Sequence, residues 1–467
     1  MLEGQEISEV TYSEVVKMSN DFRINSEFFS KQFLQLKSGR KLAFLPLKQL
    51  AKVADGDHSK FPDNQLEEVR YLQARDITNN FLEITSDVFV SNEYFSKNQR
   101  SIITEEAILL SIMGTVGDIA ITPKGFQACM CNRALAIIRD IKTISPQFLF
   151  AFLITKQAAN LIDRLKNGGV QQRINLDVLG ELEIPNFGNE LQDKVTQLVL
   201  LAQETRQQAK QKYAQAEEAL LNSVGLADFK PSTQNTNIKT IAQSFGSSGR
   251  LDAEYYQPKY EAFESTVKSN KYGYTFIKNE YDHFNDVSRK LKSAYHYIEI
   301  SDVNVGDGTN SPILIETTEL PANAKFEVKK GDLIISKVRP NRGAITVIEE
   351  EFDNLIVSGA FTVLREKPSS VFTKEVLKVL LRTPVYREWM LQFNVGTQYP
   401  VIRDEDILNL PIPKIDFTTQ TNISQLVQQS FSLKAQSEHL LNVAKRAVEM
   451  AIEQDEAAAM AFITKSL

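Results

Sequence analysis

Residues 190–226 read ELQDKVTQLVLLAQETRQQAKQKYAQAEEALLNSVGL. Leu191, Val195, Leu198, Ala202, Thr205, Ala209, Tyr213, Ala216 and Leu220 follow one another at steps of three or four, which lines them up as one apolar seam along a helix. No proline interrupts the stretch, and Gln, Lys, Glu, Arg and Ala fill its other faces, residues that lose little side-chain freedom on becoming helical. Gly225 supplies the stop, because helices commonly end through a left-handed residue and glycine takes that conformation without strain. A second seam of Ile423, Leu426, Ser430, Leu433, Ser437, Leu440, Ala444, Ala447 and Ala451 predicts another long helix from Ile423 to about Ala461. Each seam needs a partner, and the nearest partner is the other helix.

Outside these helices the sequence repeats itself. Arg23-Ile-Asn-Ser-Glu-Phe-Phe29 lies 227 positions before Arg250-Leu-Asp-Ala-Glu-Tyr-Tyr256, and Tyr71-Leu-Gln-Ala-Arg-Asp-Ile77 lies 226 before Tyr297-Ile-Glu-Ile-Ser-Asp-Val303. Ile108-Leu-Leu-Ser111 matches Leu333-Ile-Ile-Ser336 at 225, Gly117-Asp-Ile-Ala-Ile121 matches Gly343-Ala-Ile-Thr-Val347 at 226, and Leu182-Glu-Ile-Pro185 matches Leu410-Pro-Ile-Pro413 at 228. So small a drift in offset marks a tandem duplication. Each copy is a body followed by a long helix. Short Ile- and Val-rich runs predict buried strands at Ala107–Ile112, Asp118–Thr122 and Ala134–Ile138, and again at Asp332–Ser336, Ala344–Ile348 and Phe361–Leu364. Helical patches follow at about Pro146–Lys166 and Thr373–Phe393, so the bodies are mixed α and β. The polar stretch Asp228–Gly249 between the copies has a connector's composition, with Ile238, Ile241 and Phe245 as candidates to dock on a body.

Composition limits the functions open to the chain. Its 467 residues exceed one ordinary core, and 42% apolar with 24% charged residues describes a globular protein. No run of 18 apolar residues exists, and the acidic start MLEGQEISEVTYSEV is unlike a signal peptide, so a cytoplasmic location and no membrane partner are expected. The formal charge of -6 argues mildly against nucleic acid but leaves room for a local basic face. The two cysteines, Cys129 and Cys131, are expected to be reduced, half-buried structural thiols. Phosphate-loop and dinucleotide fingerprints are absent, as is any Pro-Pro pair of the kind found at amino-methyltransferase sites. His58, His283, His296 and His439 show no metal-ligand spacing. No cofactor, metal or catalytic residue is therefore expected.

Two loops remain to carry function. The first is the glycine turn between buried strands, Ser111-Ile-Met-Gly-Thr-Val-Gly117, whose second copy Ser336-Lys-Val-Arg-Pro-Asn-Arg-Gly343 adds Lys337, Arg339 and Arg342. Glycine lets backbone approach a ligand, and clustered cations grip phosphates or read guanine with two hydrogen bonds; the bland alternative is a hairpin with solvated charges. The second is a Gly-Gln element, Asn167-Gly-Gly-Val-Gln-Gln-Arg-Ile174 and Asn394-Val-Gly-Thr-Gln-Tyr-Pro-Val-Ile-Arg403. Candidate DNA contacts are Thr115, Arg133, Gln171 and Arg173 in the first copy, and Lys337, Arg339, Arg342, Gln398 and Arg403 in the second.

Taken in order and twice over, these pieces resemble the specificity subunit of type I restriction-modification enzymes: R-[IL]-[ND]-x-E-[FY]-[FY], the Ser-x-x-Gly-Thr-Val-Gly turn, Gly-x-Gln-x-x-[IV], an Ile-Pro ending, then the helix. The resemblance covers almost the whole chain. It implies an α+β architecture with two tandem mixed α/β target-recognition domains separated by two long helices that form an antiparallel coiled coil. The corresponding boundaries are 1–187 and 250–414 for the recognition domains, 188–226 for the first spacer helix, 227–249 for the connector and 415–467 for the second helix and tail. It also implies a non-catalytic subunit that reads a bipartite sequence in double-stranded DNA and binds two methyltransferase subunits and motor-nuclease subunits. About 35 helical residues span roughly 50 Å, or about 15 base-pair steps, which would make the helices a ruler between half-sites. Two other readings fit the residues: a coiled-coil scaffold without a DNA role, and the specificity subunit of a related system with fused cleavage and methylation.

Overall fold

Runs of Ile, Leu and Val bounded by glycine and charge become buried strands, and the strands arrange themselves identically in both copies. The computed structural model describes residues 9–18, 43–59, 67–85, 87–167, 172–234 and 236–467. The chain divides into two units, Met1–Arg206 with Lys434–Leu467, and Gln207–Leu433.

The first body contains β1 (Phe44–Pro46), β2 (Lys52–Asp55), β3 (Val69–Leu72), a short hairpin of β4 (Ile77–Thr78) and β5 (Phe81–Leu82), β6 (Phe89–Val90), β7 (Ile102–Ile103), β8 (Ile108–Ser111), β9 (Ile119–Ile121), β10 (Cys129–Cys131), β11 (Leu135–Arg139) and β12 (Glu183–Pro185). They form sheets of order β6-β3-β10-β7 and β2-β11-β8-β9, and a β1-β12 pair. The second body has β13 (Tyr274–Phe276), β14 (Tyr281–Phe284), β15 (Ala294–Ile298), β16 (Ile313–Glu316), β17 (Ala324–Glu327), β18 (Leu333–Ser336), β19 (Ile345–Val347), β20 (Leu355–Ser358), β21 (Phe361–Glu366) and β22 (Pro411–Pro413). Its sheets run β16-β15-β20-β17 and β14-β21-β18-β19, with a β13-β22 pair. The orders match element for element. So does the one parallel pairing within each four-stranded sheet of the first kind, β3 with β10 and β15 with β20, amid antiparallel neighbours. The duplication seen in sequence is thus a duplication of topology, and β4–β5 is the first body's own addition.

Each predicted helical patch is two helices. Pro146–Leu153 is followed by Lys156–Leu165, where the Thr155 hydroxyl caps the second by accepting from Ala158 N–H, and Lys374–Arg382 is followed by Pro384–Trp389, where Thr383 caps by accepting from Tyr386 N–H. A threonine that satisfies a free N–H stops one helix and starts the next.

The first long helix spans Asn189–Val224, with Gly225 in the left-handed region at φ 73°. The second differs from expectation: it spans Phe417–Glu453 and ends there, and a separate helix, Glu456–Ser466, follows. Asp455 breaks the run because its carboxylate caps the new helix at Ala458 N–H. In the first unit Gly188 N–H donates to the Glu456 carboxylate, while Ser437 Oγ donates to the Ala202 carbonyl at 2.7 Å, so the two helices run antiparallel. Leu191, Val195, Leu198 and Ala202 there share a core with Leu440, Ala444, Ala447 and Ala451. In the second unit Ser430 Oγ donates to the Ala209 carbonyl at 2.7 Å, and Ala216, Leu220 and Val224 share a core with Ile423 and Val427, again antiparallel. The seams do meet each other.

Two further expectations are corrected. Ile238, Ile241 and Phe245 do not dock; they are 90%, 77% and 55% exposed. Cys129 and Cys131 are not half-buried but fully buried on β10, so desolvation pushes the Cys129 thiol up to about 12 and raises that of Cys131 as well. The Arg23–Phe29 motif lies outside the described residues. Among the described residues no helix is long and apolar enough to cross a membrane.

Candidate nucleic-acid interface

The two loops singled out in sequence meet at one edge of each body. In the first, Ile112 N–H donates to Ala134 O at 2.8 Å, and Ile174 N–H donates to Ile112 O at 3.1 Å. This row continues the β11–β8 ladder into the Gly-Gln element. It sets Arg133, the Gly114–Gly117 turn and Arg173 side by side. Asn167 and Arg173 exchange both backbone hydrogen bonds at 2.9 Å, which pairs the two described ends of the element. Thr115, Arg133 and Arg173 are exposed on this edge, while Gln171 lies outside the described residues.

The second body builds the same row. Lys337 N–H donates to Ala360 O at 2.9 Å and Ile402 N–H to Lys337 O at 3.0 Å. Arg339, Arg342, Gln398 and Arg403 are exposed there. Lys337 is half-buried, and its ammonium donates to Asp404 Oδ2 at 3.0 Å while Thr362 Oγ1 donates to the other oxygen at 2.6 Å. Of the three cations in that turn, Arg339 and Arg342 are therefore the ones turned to solvent.

Local chemistry explains the motif residues. The buried hydroxyls of Ser111 and Ser336 donate to the carbonyls of Thr115 and Val338, bracing each turn from its first residue. Gly114 and Gly117 take φ of 81° and 114°, conformations that side chains resist. At Gly396 the constraint is contact, since a Cβ would sit 2.1 Å from Tyr399 O.

The second turn is also gripped from behind, which sequence reasoning missed. Arg382, buried, donates to Gly343 O at 2.6 Å, to Val305 O at 2.9 Å and to Tyr213 Oη at 2.9 Å, and Arg387 donates to Asn341 O at 2.6 Å. Burial raises the Tyr213 phenol against the lowering effect of that arginine. Arg339 sits in the left-handed region at φ 49°, held by its N–H on Pro400 O at 2.7 Å, with its guanidinium 5.4 Å above the Tyr399 ring. A non-glycine residue kept in that conformation needs surroundings that over-determine it, and strain of this kind concentrates at functional sites. The first body's turn has glycines where the second has this arginine scaffold. Nothing local in the sequence marks Arg382 or Arg387, whose acceptors are 39 to 169 residues away.

Chemically the edge offers exposed guanidinium, amide and hydroxyl groups on fixed backbone. Such groups bind phosphate oxygens and base edges. No group of three or more His, Cys, Asp or Glu that could hold a metal ion occurs among the described residues.

Residues 41–186 match the model of the family described as type I restriction modification DNA specificity domain. The edge of the first body that carries Thr115, Arg133 and Arg173 lies inside the matched residues, and the second body repeats the first body's strand orders. Over 152 residues the chain is 28% identical to the type I restriction enzyme HindI specificity subunit of Haemophilus influenzae; the match takes in 30% of this chain and 33% of that protein, about a third of the relative's length. Among solved structures, the type I restriction-modification S subunit of M. genitalium is 12% identical with a TM-score of 0.39, covering 89% of this chain and 97% of that one. The HsdS subunit of Thermoanaerobacter tengcongensis is 14% identical with a TM-score of 0.29, covering 89% and 97%.

Proposed function

We propose that the chain is the specificity subunit of a type I restriction-modification enzyme. The specificity domain reads one half of a split target in double-stranded DNA and the second body reads the other half. The subunit catalyses nothing itself. It directs two methyltransferase subunits and motor-nuclease subunits to the target, in the cytoplasm where the cell's DNA lies.

The observation that carries this reading is the recognition edge built twice on one backbone plan but furnished differently. One copy offers Thr115, Arg133 and Arg173, the other Arg339, Arg342, Gln398 and Arg403. A conserved backbone plan with different exposed donors is what two readers of different base steps require, because backbone contacts position and side chains on base edges specify. The overall charge of -6 means that partner subunits supply much of the positive surface around DNA.

The test is selection by the full-length chain from duplexes of randomised sequence, with binding measured across a salt series. Two separated blocks of preferred bases and affinity falling with salt are expected. Absence of salt-dependent binding to duplex DNA, with partner subunits present, would leave a coiled-coil scaffold as the remaining reading.

A further inference from the structure

The motif opening the second copy, Arg250-Leu-Asp-Ala-Glu-Tyr-Tyr256, places none of the side chains described above on the recognition edge, yet its pattern occurs in both copies. Its geometry gives it a task. The Arg250 guanidinium donates to both oxygens of Asp252, at 2.8 and 2.6 Å, and Nη2 also donates to the carbonyl of Asn394 at 2.9 Å, 144 residues away. The same guanidinium lies 4.7 Å over the Tyr255 ring, whose edge meets Phe393, and Tyr256 Oη donates back to Arg250 O at 3.0 Å.

Asn394 is the first residue of the second Gly-Gln element. Its Oδ1 accepts from Gly396 N–H at 2.8 Å and from Val401 N–H at 3.0 Å, closing the loop that carries Gln398. That loop in turn supplies Arg339 with its backbone acceptor, Pro400 O, and its ring, Tyr399. Contacts thus tie Arg250 to Asn394, Asn394 to both ends of the loop, and the loop to Arg339, with Gln398 carried on the loop between them.

We propose that Arg250 is a positioning residue for the second recognition loop, which fixes Gln398 and Arg339 for base discrimination by holding the Asn394 carbonyl. The proposal rests on the DNA-reading function above. Arg250 itself is engaged by Asp252, so its removal takes away no phosphate contact. Two consequences separate this role from general stability: discrimination falls in one half-site only, and the dependence of affinity on salt keeps its slope.

The experiment uses the full-length chain, Arg250→Ala, Arg250→Lys and Gln398→Ala, each selecting from the same randomised duplex pool. Lysine keeps a charge beside Asp252, but one ammonium cannot reproduce the planar fork that serves two carboxylate oxygens and a carbonyl together. Arg250→Ala is expected to lose about tenfold in preference within the block that Gln398→Ala also weakens, with the other block and the salt slope unchanged. Arg250→Lys should lose part of the same preference, and it decides the matter by the same criterion if the alanine variant does not fold. Wild-type discrimination in a folded Arg250 variant, or equal loss in both blocks, would overturn the positioning role alone. A wild-type chain that selects no block would instead overturn the DNA-reading function and the proposal with it.

Discussion

Arg339 concentrates the second body's chemistry in one residue: exposed, left-handed at φ 49°, and stacked on Tyr399. Glycine adopts that backbone freely, so Arg339→Gly is expected to leave stability unchanged or raise it by about 1 kcal/mol while weakening duplex binding. A denaturant midpoint measured beside a binding isotherm checks both. Lys337 should behave oppositely. Its ammonium is held by Asp404, with 17% and 32% of the side chains exposed, so Lys337→Met should cost about 2 kcal/mol in stability and leave the salt slope alone. Asp252 carries a pH signature. Hydrogen bonds from Arg250 hold its carboxyl below the usual range, so its contribution is present above that range and is lost as pH falls through the depressed value. The stability difference between wild type and Asp252→Asn should therefore stay constant from neutral pH to about pH 5 and close only in more acidic solution. Cys129 and Cys131, raised by burial, should resist an aromatic disulfide reagent in the folded chain and both react once it is unfolded.

At the scale of elements, the two seams hold a register device. Ser437 and Ser430 are buried, lie seven residues apart, and donate to carbonyls of Ala202 and Ala209, also seven apart. Replacing either serine by alanine removes one interhelical hydrogen bond and should cost roughly 1 kcal/mol, read as a lower denaturant midpoint with an unchanged slope. The seams were legible because an apolar period of three or four residues has one helical meaning, and β8, β9, β11 and their copies because Ile-rich runs between Gly and charge suit buried strands. The break at Gln454–Asp455 was hidden, since the Ala-rich sequence on both sides is equally helical and a single capping carboxylate decides the end. The edge residues of the site were legible through glycine and charge. Its scaffold was not: Arg250, Arg382 and Arg387 act on carbonyls distant in sequence, and a carbonyl acceptor leaves no residue signature.

For the whole molecule, each unit contains one body and part of both long helices, and the proposed function makes helix length a working quantity. Removing two heptads from each helix, in register, shortens each by about 21 Å, or about six base-pair steps. The spacer between the two preferred blocks should shrink correspondingly, and a spacer of unchanged length in the folded deletion variant would contradict the ruler. The central claim, two copies of one recognition edge reading two half-sites, is tested most directly by hydroxyl-radical protection of a duplex selected by the full-length chain. The account predicts two protected patches separated by an unprotected spacer, with Arg342→Ala weakening one patch and Arg173→Ala the other. A single continuous protected patch, weakened alike by both substitutions, would contradict it.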